Sequence, residues 1–335
     1  LYFAWKKARR GKRYTPSAAD FSQNLDIELL ALTRSLQQGA YQPGAYVHFV
    51  VHEPKRRLIS AAPFRDRVVH HALCSVIEPI YERKFIFDSY ANRLGKGTHA
   101  ALDRCTHYLR RFKYVLQCDV QQFFPSIDHT ILKSILARTL ACERTLDLCN
   151  KIIDSGVGIL TEEYTMRYFP GDDLFAALRP RGLPIGNLTS QFWANVYLNE
   201  LDQFVKHQLR CPGYIRYVDD FLLFADTKAQ LHHWRDSIIQ FLESLRLTLH
   251  EQRAQPRPVD QGVPFLGFTV FPDHRRLKRS KGISYRRHLK TLWRRFHNGE
   301  ISREEGRSSV MAWLGHVRHG DTRGLRRKMF QEIQK

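Results

Sequence analysis

The chain has no apolar run approaching the ~20 residues of a membrane span, so no transmembrane helix is expected. Its first residues, Leu1-Tyr2-Phe3-Ala4-Trp5-Lys6-Lys7, lack a long apolar core and a small-residue cleavage site. No signal peptide is therefore expected, and the missing initiator Met suggests that a few residues were trimmed. The six cysteines (Cys74, Cys105, Cys118, Cys142, Cys149, Cys211) form no CxxC pair, which argues against a zinc module. Several lie among apolar neighbours and read as small buried residues of a protein in a reducing cytoplasm. His70-His71 and His232-His233 have no companion ligand motif and read as structural or surface residues. There is no internal repeat and no low-complexity stretch. Acid is scarce: 33 Asp and Glu stand against 53 Lys and Arg, a net charge of +20. That balance favours a polyanionic partner, most simply nucleic acid. An anionic membrane surface would call for a basic amphipathic anchor, and none stands out.

What is present is a globular composition, 43% hydrophobic with 12% aromatic residues, on a chain of 335 residues, long enough for two or three subdomains. Residues 1–40 read as helical, with Leu25, Leu29, Leu32 and Leu36 at helical spacing. The cluster Lys6, Lys7, Arg9, Arg10, Lys12 and Arg13 either touches phosphates or forms a solvated face. Tyr46 to Val51 and Leu58 to Ala61 read as strands around the basic loop His52–Arg57, and Arg65 to Tyr81 as a helix. The loop Ser89 to His99 carries Gly95-Lys96-Gly97 before a helix start, a place that can hold an anion, without P-loop spacing. Tyr114 to Val120 reads as a strand, 129–180 as helical and then irregular, Leu188 to Val205 and Leu231 to Leu245 as helices, and Val263 to Val270 as a strand or hairpin. From Arg275 the composition turns basic, with 18 Lys and Arg against five Asp and Glu.

Tyr217-Val218-Asp219-Asp220 lies between two runs rich in aromatic and branched residues, which read as a hairpin. Tight hairpin turns favour Asn-Gly or Asp-Gly, and adjacent carboxylates repel, so the turn invites a functional reason. A divalent cation, a hard ion that prefers carboxylate oxygen, would supply one, and the plain alternative is an ordinary polar turn. Asp119 ends the apolar strand Tyr114–Cys118. If the strands are neighbours, Asp119, Asp219 and Asp220 form a three-carboxylate site. Such a site can hold two Mg²⁺ ions ~4 Å apart for in-line phosphoryl transfer.

The ordered set Asp119-(x)4-Phe124, Gly186-(x)3-Ser190, Tyr217-Val218-Asp219-Asp220 and Leu266-Gly267 resembles reverse transcriptases over roughly residues 50–275. More narrowly, Ile185-Gly186-Asn187-Leu188-Thr189-Ser190-Gln191 resembles the fourth motif of diversity-generating retroelement reverse transcriptases. Most reverse transcriptases have Gln where Ile185 stands and Pro where Gln191 stands. The stretches Pro63–Leu73 and Asp88–His99 are similar to that group and to its group II intron relatives.

The resemblance implies that Asp119, Asp219 and Asp220 bind metal (two Mg²⁺, with Mn²⁺ able to substitute), with the Val120 carbonyl as a further oxygen. Phe124 becomes a steric gate beneath the incoming sugar. Arg57 reaches the triphosphate, with Lys55 a weaker candidate. Ile185, Gly186 and Gln191 lie near the nucleotide. The plain alternatives are core packing for Phe124, a surface charge for Arg57 and apolar packing for Ile185. Arg93, Lys96, Lys278, Arg279, Arg286 and Arg287 are the expected nucleic-acid contacts. The family's usual Lys after the helix that follows the hairpin, thought to assist pyrophosphate departure, is missing; the stretch reads Leu249-His250-Glu251-Gln252-Arg253, which leaves only Arg253 to substitute.

The expected fold is α+β, a right-hand polymerase whose antiparallel palm sheet is backed by helices. Fingers are expected at 1–112 (with an N-terminal helical extension) and 132–181, palm at 113–131 and 182–272, and a basic helical thumb at 273–335. The resemblance implies RNA-templated DNA synthesis on a retroelement RNA, error-prone at template adenines. The implied partners are template RNA, primer or cDNA, deoxynucleotides, and a small basic helical accessory variability protein, single or oligomeric. The alternatives are another bacterial reverse transcriptase, of group II intron, retron or phage-defence type, and a non-catalytic RNA-binding maturase.

Overall fold

The computed structural model describes residues 1–52 and 56–331. Three helices, α1 (Tyr2–Ala8), α2 (Pro16–Gln23) and α3 (Leu25–Gln37), precede a two-stranded hairpin of β1 (Val47–Val51) and β2 (Arg57–Ala61). Helix α4 (Phe64–Glu82) follows, starting directly after Pro63. Its buried Asp66 accepts from the Tyr41 hydroxyl (2.8 Å) and the Gly44 amide (2.7 Å), which ties the incoming segment to the helix. Next come α5 (Thr98–Arg111), β3 (Tyr114–Asp119), the short α6 (Phe123–Ser126), α7 (His129–Ala137) and α8 (Glu143–Asp154). Helix α9 (Leu188–Gln203) leads to the hairpin of β4 (Gly213–Tyr217) and β5 (Asp220–Ala225), then α10 (Lys228–Ser244) and β6 (Arg257–Pro258).

The central sheet has the order β4-β5-β3-β6, antiparallel throughout. Side chains alternate between its two faces. Leu116, Cys118, Tyr214, Phe221 and Leu223 join the core built on α4, α9 and α10. Val115, Ile215, Leu222 and Phe224 join a second core, built on α5 and the small sheet of β7 (Val263–Phe265), β8 (Phe268–Val270) and β9 (Arg275–Leu277). Burial on both faces explains why these strands read as continuous apolar runs rather than alternating ones. Helix α9 is buried on nearly all sides and is the axis of the first core. This is the expected α+β right hand with an antiparallel palm sheet backed by helices.

Two packing features lie near the expected subdomain boundaries. Helices α7 and α8 contribute Leu132, Ile135, Leu136, Cys149, Ile152 and Ile153 to the α9 core, so only the segment after Asp154 stands out from it. Strand β9 pairs with β8, so the small sheet holds Arg275–Leu277. The basic helices α11 (Arg279–His297), α12 (Arg303–Val317) and α13 (Arg323–Gln331) begin just beyond it. No helix among the described residues is long and apolar enough to cross a membrane.

The segment 155–181 is fastened to the palm by charge. The side chain of Asp172, almost fully buried, accepts from Arg246 Nη1 at 2.6 and 2.8 Å and pairs with Arg179 at 3.0 Å. Arg56 on the fingertip meets Glu163 at 2.8 Å. The Gln122 side chain holds the Glu163 carbonyl and the Thr165 amide. Hydrogen bonds to buried charge are worth about 1.5–3 kcal/mol, against near zero for the exposed Arg56 pair. Asp172→Ala should therefore release this segment locally. Trypsin should cut after Arg167 and Arg181 roughly tenfold faster or more, while the urea midpoint of the α9 core barely moves. Equal cutting rates in parent and variant would show that Asp172 is not what holds the segment down.

Candidate active site

The register of the central sheet brings the carboxylates together. Asp119, last in β3, pairs directly with Asp220, first in β5. Tyr217 pairs with Asp220 across the hairpin, so the turn proper is Val218-Asp219, with one carboxylate in the turn and one in the strand. The Val120 amide donates to the Asp219 carbonyl (3.3 Å), closing the end of the sheet. Val218 takes a positive φ of 58°, a conformation that suits Gly or Asn and strains a β-branched residue. Strain of this kind costs about 1–3 kcal/mol and persists only where the surroundings impose it.

The three carboxylates are not equivalent. Asp119 is 40% exposed, and His250 lies 3.9 Å from its Oδ2. Burial first, and the negative charge of Asp119 next, push the Asp219 carboxyl up to about 6, with Arg57 and Arg216 pulling the other way. Burial pushes Asp220 up to about 7; Gln117 opposes this, while Asp119 and Asp219 add to it. Gln117 Nε2 donates to Asp220 Oδ1 (3.1 Å) and to the Pro264 carbonyl (3.0 Å), and Arg257 Nη2 donates to Gln117 Oε1 (2.9 Å). Gln117, Asp119 and Asp220 share one face of the sheet by strand alternation.

Among the described residues, no three His, Cys, Asp or Glu side chains form a ready-made cage for an ion. Mg²⁺ does not need one: it keeps waters and takes one or two carboxylates together with substrate phosphates. The donor set suits such a hard cation. Two crowded carboxylates are pushed towards protonation, and a hard cation would take the place of those protons.

The fingers side is pinned over this end. The Asn187 side chain accepts from the Ala62 amide (3.0 Å) and donates to the carbonyls of Ser60 (2.8 Å) and Pro184 (3.1 Å). The Ser60 amide donates to the Ile185 carbonyl (2.9 Å). Gly186 sits at φ 115°, and a Cβ there would lie 2.8 Å from Ile59 Cγ2, so only glycine fits against β2. Phe124 is half-buried, edge-to-face with the buried Phe123 at 5.5 Å. Arg57 is exposed, and its charge reaches Asp219. Gln191 is exposed on the first turn of α9.

Other expected contacts fall out differently. The Arg93 guanidinium forks onto Glu82 (2.9–3.0 Å) and donates to the carbonyls of Ile86 (2.7 Å) and Ser89 (2.9 Å), so it straps a loop. Lys96 likewise turns inward, donating to the Phe87 carbonyl (2.8 Å) and lying 3.4 Å over the Phe87 ring. Lys55 lies outside the described residues. Arg253 is exposed in a turn, and it is His250 that approaches Asp119. Lys278, at the start of α11, is close enough to lower the Asp220 carboxyl, and Arg279, Arg286 and Arg287 are exposed on that helix. Sequence reasoning missed Asn187, Gln117 and Arg216, whose signal is only a polar residue inside an apolar run.

A family model for reverse transcriptase (RNA-dependent DNA polymerase) matches residues 52–270. The chain is 27% identical over 304 residues to the protein YkfC of Escherichia coli (strain K12), covering 78% of this chain and 75% of that one. It is 25% identical over 177 residues to the group II intron-encoded protein LtrA of Lactococcus lactis subsp. cremoris, covering 52% of this chain and 27% of LtrA. A solved structure of apo telomerase from Candida tropicalis, truncated from its C-terminal domain, is similar at TM-score 0.48 and 11% identity, over 74% of this chain and 59% of that one. The chain thus spans about a quarter of its intron-encoded relative and under two thirds of that structure.

The crowded carboxylates fix the sign of a pH dependence. A free Asp titrates near ~3.9, so without metal the folded protein holds more protons than the unfolded chain between about pH 4 and 7. Stability in chelating buffer should therefore fall as pH rises through that window. Asp220→Asn should flatten the fall, because the neutral amide removes one buried charge and relieves Asp219. The check is the urea midpoint at pH 5 and pH 8; a parental difference retained in the variant would separate the slope from this cluster.

Proposed function

The chain belongs to the reverse transcriptase family, and on that premise we propose that it copies a retroelement RNA into cDNA by two-metal phosphoryl transfer, with errors favoured at template adenines. The observation that carries the chemistry is the Asp119–Asp220 register with Asp219 in the adjoining turn. Asp119, Asp219 and Asp220, with the Val120 carbonyl, would hold two Mg²⁺ ions (or Mn²⁺), which when bound activate the primer 3′-hydroxyl and neutralise the leaving pyrophosphate. Arg57 faces the triphosphate, and the Phe124 ring lies where a 2′-hydroxyl would collide. Gly186 lets the nascent pair approach the backbone. Residues 1–112 and 132–181 serve as fingers, 113–131 and 182–272 as palm, and 273–335 as a thumb. The thumb holds template and primer mainly through phosphate and 2′-hydroxyl contacts. A small basic helical accessory protein is its partner.

Ile185 supports the error-prone reading. A Gln in its place could hydrogen-bond near the nascent pair, whereas Ile makes only dispersion contacts that tolerate displacement. The adenine preference rests on the family likeness alone. Two further relatives, nuclear intron maturases 2 and 1 of Arabidopsis thaliana, favour a second reading, an RNA-binding maturase without polymerase activity.

Primer extension separates the two. On a generic RNA template with Mg²⁺, the parent should extend a primer, and Asp219→Asn should lose at least about a hundredfold in rate, since a neutral amide binds Mg²⁺ poorly. A folded parent that binds RNA yet never extends would leave the maturase reading.

Ile185→Gln should lower the error frequency roughly three- to tenfold, the equivalent of one hydrogen bond of ~0.5–1.5 kcal/mol, while activity persists. Sequencing the products at matched nucleotide concentrations gives the answer. An active variant with the parental error spectrum would make Ile185 a packing residue.

A further inference from the structure

Beneath the catalytic hairpin lies a buried ion pair that the chemistry described above does not use. Arg216 and Asp202 are both fully buried. Arg216 Nε donates to Asp202 Oδ1 (2.7 Å) and Nη2 to Oδ2 (2.6 Å), a bidentate fork. The Tyr214 hydroxyl also donates to Asp202 Oδ1 (2.9 Å). The remaining arm, Nη1, donates to Asn195 Oδ1 (3.2 Å) and to the Val218 carbonyl (3.0 Å).

We infer that Arg216 is a positioning residue of the polymerase reaction: anchored on α9 by Asp202 and Asn195, it grips the Val218 carbonyl and fixes the turn that carries Asp219. The inference rests on the reading of Asp219 as a metal-binding carboxylate. Its geometric basis is the strain at Val218. A two-residue turn with a β-branched residue at φ 58° does not choose that shape by itself, and a guanidinium arm bonded to its carbonyl helps to impose it.

Asn195 and Asp202 are seven residues apart on α9, two helical turns, so they present the two anchors on one face. Asn195 also donates to the Ala91 carbonyl (2.8 Å), while the backbone of Arg216 exchanges hydrogen bonds with Asp88 and Tyr90 (2.9 and 3.0 Å). One side chain thus joins the central helix, the 88–91 segment and the catalytic turn. A lysine could not do this, because a single ammonium has no planar fork to hold both carboxylate oxygens while reaching a third acceptor. A buried pair is poor evidence of stabilisation, since apolar replacement of both partners is often neutral. Position is therefore the property to test.

The experiment uses the full chain and the double variant Arg216→Met with Asp202→Leu. It removes both charges together, so neither is left buried alone. Hydrogen–deuterium exchange reads the turn, urea unfolding reads the fold, and primer extension reads kcat and the KM for deoxynucleotide. The expected result is parental unfolding, faster exchange confined to residues 217–220, a KM within about twofold and a kcat lower by about a hundredfold. If the double variant unfolds early, Asn195→Leu, which leaves the ion pair intact and removes one anchor of Nη1, must still speed exchange at the turn. Parental exchange at 217–220 in a folded variant overturns the inference, whether or not the protein extends primers. A parent that never extends, with a turn that loosens in the variant, refutes the polymerase reading and leaves the positioning role standing.

Discussion

Like charges facing each other across a β-ladder set the problem that this structure solves. Asp119 and Asp220 are direct partners, an arrangement that destabilises a sheet by itself. The sheet tolerates it because every other pair in the β3–β5 ladder is apolar or, at Gln117, bonded outward. Both faces of the sheet are covered, one by α9 and α10, the other by α5 and the small sheet. The register cannot slip by one residue without exchanging those two cores. The repulsive pair is therefore held where it is by apolar burial several residues away, and burial, with the neighbouring charges adding to it, makes Asp219 and Asp220 hold their protons more tightly.

Around that end, the chain uses polar contacts that are short, buried and few. Two of the three Asn187 side-chain hydrogen bonds tie the 184–187 loop to Ser60 and Ala62 at the end of β2, and Asp172 locks Arg246 against the 155–181 segment. Each joins segments more than 70 residues apart in sequence. Such contacts contribute little net energy compared with the cores, but they remove alternatives, since breaking one leaves a buried group unpaired. The 184–187 loop is thereby fixed relative to β2, and the 155–181 segment relative to Arg246.

The sequence made the strand ends, the hairpin, Asp119 and the central helix legible, because period and composition report local structure directly. It also displayed Gly186, whose need shows only once β2 is seen to press on it. What it hid were partnerships. Arg93 and Lys96 look like phosphate contacts in a glycine-rich loop, yet each is satisfied by carbonyls that the loop itself brings near. His250, three residues before Arg253, approaches Asp119 because the chain after α10 pairs with residues 119–121, through the Gln121 amide on the Thr248 carbonyl and the His250 amide on the Asp119 carbonyl. A charge in a sequence carries its sign but not its partner, and partners decide whether it is a site or a strut.

Ile185 shows how a site of this kind can vary without losing its frame. Its carbonyl is taken by the Ser60 amide, and the next two residues are fixed by Gly186 against Ile59 and by the Asn187 side chain. The backbone at 185 is thus determined by its neighbours and owes nothing to the identity of its own side chain. That side chain is only half-buried, so it fills no cavity whose loss would unfold the loop. Polarity at this position is consequently separable from stability. A residue placed this way can tune contact with a bound ligand while the carboxylates, the turn and the sheet stay as they are.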